Sequence, residues 1–178
     1  MPNAERKGPA GGSFPLDIVG PMQHALLADL EPLAFLLGIW RGAGAGGYPT
    51  SDSFEFEEET RFWHVGLNHV LYQQRTWVPG DESDAIHMEL GFLRPAGPGR
   101  VEFLLAYPLG SVDVEEGTVT DGVLELTSTG VARAATGDPV QGFFRRIEVD
   151  GDTLSYELRM ATDSVPLTRH ATATLRRV

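Results

Sequence analysis

The most constraining feature of this sequence is a run of short segments with two-residue periodicity that begins after Gly38 and continues to the C terminus. Segments such as HMELGFLR, VEFLLAY and VLELTST alternate apolar with polar residues, which is typical of half-buried β-strands. Turn-forming residues separate the segments, and the pairs Asp121-Gly122 and Asp150-Gly151 favour tight hairpins. About ten strands follow one another without an intervening helix, which predicts an antiparallel meander.

A sheet with this many strands tends to curl, and closing it into a barrel removes its unpaired edges. We therefore predict an all-β fold: an up-and-down antiparallel barrel of about ten strands, similar in architecture to lipocalins and fatty-acid-binding proteins. A barrel of this size encloses room for one small ligand. The architecture alone thus favours a ligand-binding function.

The N-terminal part of the chain has a different pattern. Residues 1–20 are rich in Gly and Pro, so we expect a flexible leader there and one barrel domain over residues 21–178. Leucines at helical spacing predict a short helix over residues 21–30. A further helical turn is predicted over residues 32–37, with Pro32 near its start.

Charge argues against two classes of partner. The formal net charge is −11, from 14 Lys and Arg against 25 Asp and Glu. Nucleic acids and anionic membranes both attract basic surfaces, so neither is an expected partner. No segment approaches the roughly 20 apolar residues of a membrane span, and no signal-peptide core is recognisable. We expect a cytoplasmic protein.

The chain contains no cysteine. This excludes disulfides, zinc–thiolate sites, iron–sulfur clusters and thiol nucleophiles. A hydrolase is also disfavoured, because the sequence has no Gly-x-Ser-x-Gly nucleophile motif.

Three alternating glycines, Gly42, Gly44 and Gly46, fall on one face of the first predicted strand. A face without side chains lets another backbone, a helix or a flat ligand approach closely. A dinucleotide-binding motif requires a strand, a glycine turn and then a helix. Here a helical segment precedes the glycines and strands follow, which argues against nucleotide binding.

These glycines belong to a longer pattern, Gly38-x-Trp40-x-Gly42-x-Gly44-x-Gly46-x-Tyr48-Pro49, that resembles the opening signature of the nitrobindin family. The resemblance extends over residues 25–178. Its further motifs occur in the family's order: His64-Val65-Gly66, His87-x-Glu89-x-Gly91-x-x-Arg94, Met160-Ala161-Thr162 and Pro166-Leu167-x-x-His170. Several spaced motifs in the right order are far more specific than the glycines alone.

Nitrobindins are ten-stranded barrels that hold b-type haem in an open cleft, with one histidine of the last strand as the protein ligand to iron. The resemblance implies that His170 is this ligand and that each chain binds one haem non-covalently. It places His87 and Ile86 on the distal side and Met160 near the ring. Thr50 matches the family's threonine after Tyr-Pro.

The resemblance also implies an activity. Ferric haem in this family isomerises peroxynitrite to nitrate, and nitric oxide is a further expected ligand. One protein ligand leaves the second axial position of the iron to the small molecule. His87 is expected to donate a hydrogen bond to the bound anion.

The orientation of His170 is left open by the sequence. Strict alternation places His170 with Thr168 and Thr172, on the face opposite Ala171 and Leu175. If the leucine face points inward, the histidine points outward. A β-bulge would instead turn it into the interior.

One departure from the family pattern concerns a cation. Many members carry a lysine before the eighth strand, where this chain has Gly137-Asp138-Pro139. Arg133 and Arg145 are the candidate replacements for pairing with a haem propionate or an anionic substrate.

Two other functions remain open. The barrel could carry a fatty acid or another apolar ligand without haem, or it could be an interaction module whose interior is filled by side chains.

A homodimer through Phe143-Phe144 or Trp63 is a further alternative, although core packing is the favoured use of these aromatic residues. The remaining histidines, His24, His64 and His69, are expected to be solvated or to make structural hydrogen bonds.

Overall fold

A computed structural model describes residues 24–178, so the predicted leader over residues 1–20 lies outside the described part of the chain. A 3₁₀ helix spans Ala28–Leu36 and ten strands follow it. The strands are β1 (Gly38–Tyr48), β2 (Ser51–Trp63), β3 (Val70–Val78), β4 (Asp81–Pro95), β5 (Arg100–Tyr107), β6 (Ser111–Thr120), β7 (Val123–Arg133), β8 (Val140–Asp150), β9 (Thr153–Thr162) and β10 (Thr168–Arg177).

The ten strands form one closed antiparallel barrel in which each strand pairs with its neighbours in sequence. The barrel closes where β1 pairs with β10, for example Gly44 opposite Ala173. The predicted ten-stranded up-and-down barrel is thereby confirmed. Each strand therefore has a neighbouring strand on both sides, so the barrel has no edge strand of the kind that promotes aggregation.

Tight turns occur where the sequence signals them. Asp121 and Gly122 have φ of +48° and +80°, the positive values that a type I′ hairpin requires. At the β8–β9 turn Asp150 pairs with Thr153, so the two central residues are Gly151 and Asp152. That hairpin is therefore centred one residue later than the Asp150-Gly151 pair suggested.

The sequence predicts two helical segments, residues 21–30 and 32–37, and this division is wrong, because the structure has one helix over Ala28–Leu36. A single 3₁₀ helix contains Pro32, and Leu27 before it is already extended. Residues 21–23 of the predicted first helix lie outside the described part of the chain. In an α-helix the Pro32 ring would clash with the carbonyl four residues earlier. The three-residue repeat of a 3₁₀ helix instead aligns Leu30, Leu33 and Leu36 on one side.

The helix closes one end of the barrel. Its three aligned leucines are at most 1% exposed and join the main hydrophobic core. The Trp40 indole Nε1 donates a hydrogen bond of 2.8 Å to the carbonyl oxygen of Leu36. The Arg177 guanidinium lies 4.0 Å from the Trp40 ring, and its Nη2 donates to the carbonyl oxygen of Phe35. The start of β1 and the end of β10 are thus fastened to the helix.

The opening residues of the glycine motif serve this closed end. Gly38 has φ of +136°, which side-chain-bearing residues rarely adopt, and it lies against the Arg177 side chain. Trp40 is fully buried. Within residues 24–178 no helix is long and apolar enough to cross a membrane.

Candidate functional site: a cavity at the open end of the barrel

A cavity of about 310 Å³ occupies the end of the barrel opposite the helix. Strand β10 runs from His170 at this cavity to Arg177 beside the helix. Aromatic and aliphatic side chains form most of the wall. They include Phe54, Phe56, Phe143, Leu158 and Met160. Mostly apolar walls with a few polar groups are typical of small-molecule sites.

His170 enters this wall through a β-bulge. Arg169 pairs with Arg159 and Ala171 pairs with Leu158, so His170 is an extra residue between two adjacent rungs of the ladder. As a result both His170 and Ala171 line the cavity. Because of the bulge, the consecutive residues His170 and Ala171 both face inward, which simple alternation along a strand does not allow.

The His170 ring is held by the last two residues of strand β1. Its Nδ1 lies 3.4 Å from the carbonyl oxygen of Gly47, and the Tyr48 ring meets it edge-on with centroids 5.6 Å apart. Burial lowers the pKa of His170, and the Gly47 carbonyl opposes this only in part. A neutral imidazole that donates Nδ1–H to Gly47 keeps the lone pair of Nε2 available.

The glycine face of β1 makes room for aromatic side chains of β2. A Cβ at Gly44 would overlap the Phe56 ring, and a Cβ at Gly46 would overlap the Phe54 ring. Both rings line the cavity. Gly42 instead lies against the backbone of β10. The alternating glycines therefore admit a neighbouring strand and two phenyl rings.

His87 and Ile86 of β4 and Met160 of β9 also line the cavity. The His87 ring stacks on Tyr107 with centroids 6.2 Å apart, and its Nε2 lies 3.6 Å from Oε1 of Glu89. Thr50 is exposed in the turn between β1 and β2 and is not among the residues that line the cavity.

The polar floor of the cavity was missed by the sequence analysis. Glu89 is 2% exposed and contacts the Arg145 guanidinium at 3.1 Å, and the Tyr72 hydroxyl donates to it at 3.1 Å. Burial acts to raise the pKa of Glu89, but Arg145, His87 and Tyr72 together outweigh it and hold the pKa at about 2. The spacing of His87 and Glu89 on one strand face was the available signal.

The two candidate cations lie in different places. Arg145 is inside the barrel, with its side chain 2% exposed, and pairs with buried carboxylates. Arg133 lies near the mouth, where its Nη1 donates at 3.3 Å to the carbonyl oxygen of Asp138, a residue that lines the cavity. Arg133 therefore remains as a candidate for pairing with a charged group at the mouth.

The aromatic residues considered for a dimer interface differ in their burial. Phe143 is buried in the cavity wall, and Phe144 is half-buried with the Arg159 guanidinium 5.3 Å from its ring. Trp63 is 39% exposed, so core packing was the wrong expectation for this residue. It belongs to an outer apolar patch on the barrel surface. We define the outer patch as Trp63, Leu90, Phe92, Leu104, Val112 and Val114.

Comparison with known proteins places this barrel in a family. A family model described as the THAP4-like, heme-binding beta-barrel domain matches residues 29–177. The chain belongs to the nitrobindin family. A protein from Nocardia farcinica named Peroxynitrite isomerase is 46% identical over 157 residues, covering 86% of this chain and 93% of that protein.

Two further relatives agree with this assignment. Peroxynitrite isomerase 2 of Mycobacterium ulcerans is 42% identical, with coverage of 88% of this chain and 99% of that protein. The crystal structure of Rv2717c from M. tuberculosis superposes with a TM-score of 0.80 at 40% identity, covering 86% of this chain and 99% of that chain. The nitrobindin resemblance and the barrel fold that it implied are confirmed.

Proposed function

We propose that this chain binds one b-type haem in the cavity, with His170 as the axial ligand, and converts peroxynitrite to nitrate. The observation that carries the proposal is the position of His170. A bulge turns its ring into the cavity wall. Because Nδ1 is hydrogen-bonded to the carbonyl oxygen of Gly47, Nε2 is the nitrogen available to iron. The relatives named peroxynitrite isomerase support the reaction.

The residues of the cavity fit a haem by their chemistry. The walls are largely aromatic and aliphatic, as a porphyrin requires, and burial keeps the His170 imidazole neutral for ligation. The chain has no cysteine, so attachment through thioethers is excluded and the haem is held non-covalently.

Ferric haem, when bound, supplies a Lewis acid that polarises a peroxo oxygen. The side chains of this protein bind and orient the reactants. His170 would hold the haem, and Ile86 and Met160, which line the cavity, would pack beside its ring. His87 donates a hydrogen bond to the anion, with Glu89 beside its Nε2 at 3.6 Å.

Nitric oxide is proposed as a second ligand of the same site. A single protein ligand leaves one axial position of the iron to a small molecule, and an apolar cavity suits an uncharged diatomic gas. Absorption spectra of the haem-loaded protein with and without nitric oxide test this.

A cytoplasmic location also stays a prediction, which cell fractionation tests.

A homodimer through the outer patch is part of the proposal. The outer patch carries no charge, so two copies of a chain with net charge −11 can meet there without opposing their acidic residues. At its border Arg94 pairs with Glu102 at 3.1 Å, which gives both signs of charge for a two-fold contact. Light scattering of Leu104→Glu against Leu167→Glu, another exposed leucine, tests it: a monomer is expected for the first variant and a dimer for the second.

Haem titration of the purified chain tests the main proposal. The wild type is expected to bind one haem with a Soret band that is shifted or lost in His170→Ala. His69→Ala is the matched control, because His69 contacts Phe92 outside the cavity. With haem bound, stopped-flow decay of peroxynitrite should accelerate and nitrate should be the product. Absence of stoichiometric haem binding would contradict the proposal.

A carrier of a fatty acid or another apolar ligand is the second candidate. The apolar cavity walls favour it, because such a carrier needs the cavity but not His170. Binding of a fluorescent fatty acid that survives both excess haem and the His170→Ala substitution would support the carrier.

A further inference from the structure

Five ionisable side chains form a belt across the middle of the barrel, between the cavity and the apolar end. We define the charged belt as Glu58, Glu89, Asp113, Glu115 and Arg145, each at most 2% exposed. Four carboxyl groups therefore face one guanidinium. Three uncompensated buried charges would be very costly, so some of the carboxyl groups must hold protons at neutral pH.

Two members of the charged belt have close polar partners. Glu89 is the ionised partner of Arg145 and also accepts from Tyr72. Glu58 accepts hydrogen bonds of 2.6 Å from the hydroxyls of Thr60 and Tyr156. Burial nevertheless raises the pKa of Glu58, which favours its neutral form.

The other acidic members lie where hydrogen bonds are missing. Within residues 24–178, every buried side-chain nitrogen or oxygen atom that lacks a hydrogen-bond partner belongs to Tyr107, Asp113, Glu115 or Arg145. Both oxygens of Glu115 are among these atoms. The Arg145 Nε lies 3.5 Å from Glu115 Oε2, an ion contact without hydrogen-bond geometry. A carboxylate with so little support is better neutral.

The groups around Glu115 come from five strands. They are Arg145 of β8, Asp113 of β6, Glu89 of β4, Tyr107 of β5 and, through Glu89 and Arg145, Tyr72 of β3. Burial raises the pKa of Glu115 to about 7; Arg145 opposes this, while Asp113 and Glu89 add to it. The Ser128 hydroxyl donates to Asp113 at 2.6 Å, yet burial raises the pKa of Asp113 too.

The pair Asp113–Glu115 is connected to the cavity through its neighbours. Glu89 and Tyr107 both line the cavity, and Arg145 contacts Glu89 and Glu115 together. Ser111, two residues before Asp113 on the same face of β6, lines the cavity as well. Because these groups are buried, a charge on the pair is poorly screened from the cavity.

We propose that the Asp113–Glu115 pair is a proton-binding site whose occupancy sets the affinity of the cavity for anions. With the proton bound, the floor of the cavity accepts an anion. With the proton lost to solvent, the added negative charge repels it. Entry of an anion is therefore accompanied by uptake of one proton from solvent by the carboxylate, and nothing is oxidised or reduced. The inference rests on the proposed function in taking an anion as the guest of the cavity.

Fluoride binding to the haem-loaded protein tests the coupling, because fluoride stays anionic between pH 5.5 and 8.5. Hydroxide competes with it in every variant, so the affinity ratio between proteins is the quantity to measure. The Glu115→Gln variant keeps a neutral floor, and its affinity should exceed that of the wild type by about tenfold at pH 8.5 and match it at pH 5.5. Glu125→Gln, on the outer face of β7 and paired with Arg146, is the control and should follow the wild type. A Glu115→Gln to wild-type ratio that stays constant with pH would overturn the coupling.

Infrared spectroscopy of the haem-free protein tests the proton site separately. The wild type should show a carboxylic acid C=O band at pH 6 that is lost by pH 8, and the difference between the spectra of Glu115→Gln at these two pH values should lack this band. Asp113→Asn reports which oxygen holds the proton, and circular dichroism verifies folding of both variants. Absence of the band in the wild type would overturn the proton site.

Failure of haem uptake would contradict the proposed function, but it would leave the infrared test of the proton site unaffected. In that case the anionic dye 8-anilinonaphthalene-1-sulfonate and the neutral N-phenyl-1-naphthylamine replace fluoride. In the wild type, binding of the anionic dye should weaken as the pH rises, while binding of the neutral dye should not. In Glu115→Gln, binding of the anionic dye should not weaken. Equal behaviour of the two dyes in the wild type would overturn the coupling.

Discussion

His170 and Gly47 are joined across the β1–β10 pair, with Nδ1 of the imidazole 3.4 Å from the carbonyl oxygen of the glycine. The acceptor is a backbone atom, so no side-chain substitution at Gly47 removes it. The orientation of the imidazole depends instead on how closely β1 approaches β10 and β2. Substitutions in the glycine face of β1 should therefore act on the histidine indirectly.

The first prediction concerns Gly46→Ala. The new Cβ would overlap the Phe54 ring and lie 2.9 Å from the carbonyl oxygen of His170, so the bulge and the cavity wall must shift. We expect a loss of about 1–3 kcal/mol in the free energy of unfolding. Haem affinity should fall roughly tenfold or more. Urea denaturation and haem titration measure the two effects, with Gly130→Ala as control because nothing lies within 4 Å of its Cβ. Equal haem affinities of the two variants would contradict the prediction.

The second prediction concerns Arg145→Met. Removing the guanidinium leaves Glu89 buried without its charge partner, and breaking such a pair typically costs about 3–5 kcal/mol of unfolding free energy. Arg146→Met is the control one residue along, where the side chain points outward to Glu125 and Glu148. An exposed pair of this kind is worth at most about 1 kcal/mol. Similar denaturation midpoints for the two variants would count against the charged belt as an electrostatic unit.

The third prediction is a dependence of stability on pH. The folded-state pKa of Glu115 is raised to about 7 from 4.5, so the folded state binds this proton more tightly than the unfolded state does. The contribution to stability is fully present below pH 4.5 and is lost as the pH rises towards 7, a loss of roughly 1–3 kcal/mol. Urea denaturation at several values between pH 5 and 8 should show this decline in the wild type and a shallower one in Glu115→Gln. Parallel curves for the two proteins would rule the contribution out.

The fourth prediction concerns the lysine that many family members carry before the eighth strand and that this chain lacks at that position. Arg133 lies at the mouth of the cavity, and we expect it to pair with a haem propionate. Arg133→Gln should then speed haem dissociation by about two- to fivefold, the effect of one exposed ion pair. Transfer of haem to apomyoglobin measures the rate, and Arg146→Gln on the outer face is the control. Identical rates for both variants would mean that Arg133 holds no propionate.

Much of the fold could be predicted because its determinants are local. Alternating polarity and turn pairs such as Asp121-Gly122 report strands and hairpins directly from neighbouring residues. The helix bounds could not be predicted in the same way. The sequence predicts Pro32 near the start of a helical turn, whereas Pro32 lies within a 3₁₀ helix whose leucines recur every third position.

The site could be predicted only in part, because its geometry depends on pairing between strands. The inward turn of His170 follows from its register with β9, which the sequence of β10 alone does not contain. The contact of Glu89 with Arg145 joins β4 to β8 across the interior. Periodicity placed both residues on strands but gave no means of bringing them together.

The C terminus lies at the closed end of the barrel. The backbone N–H of Val178 donates a hydrogen bond of 2.9 Å to the carbonyl oxygen of Ile39, close to the helix and far from His170. A fluorophore or carrier protein joined after Val178 would therefore leave the mouth clear. The barrel is thus suited to tethering in a sensor, where small molecules must reach the cavity while the other end is attached to a surface.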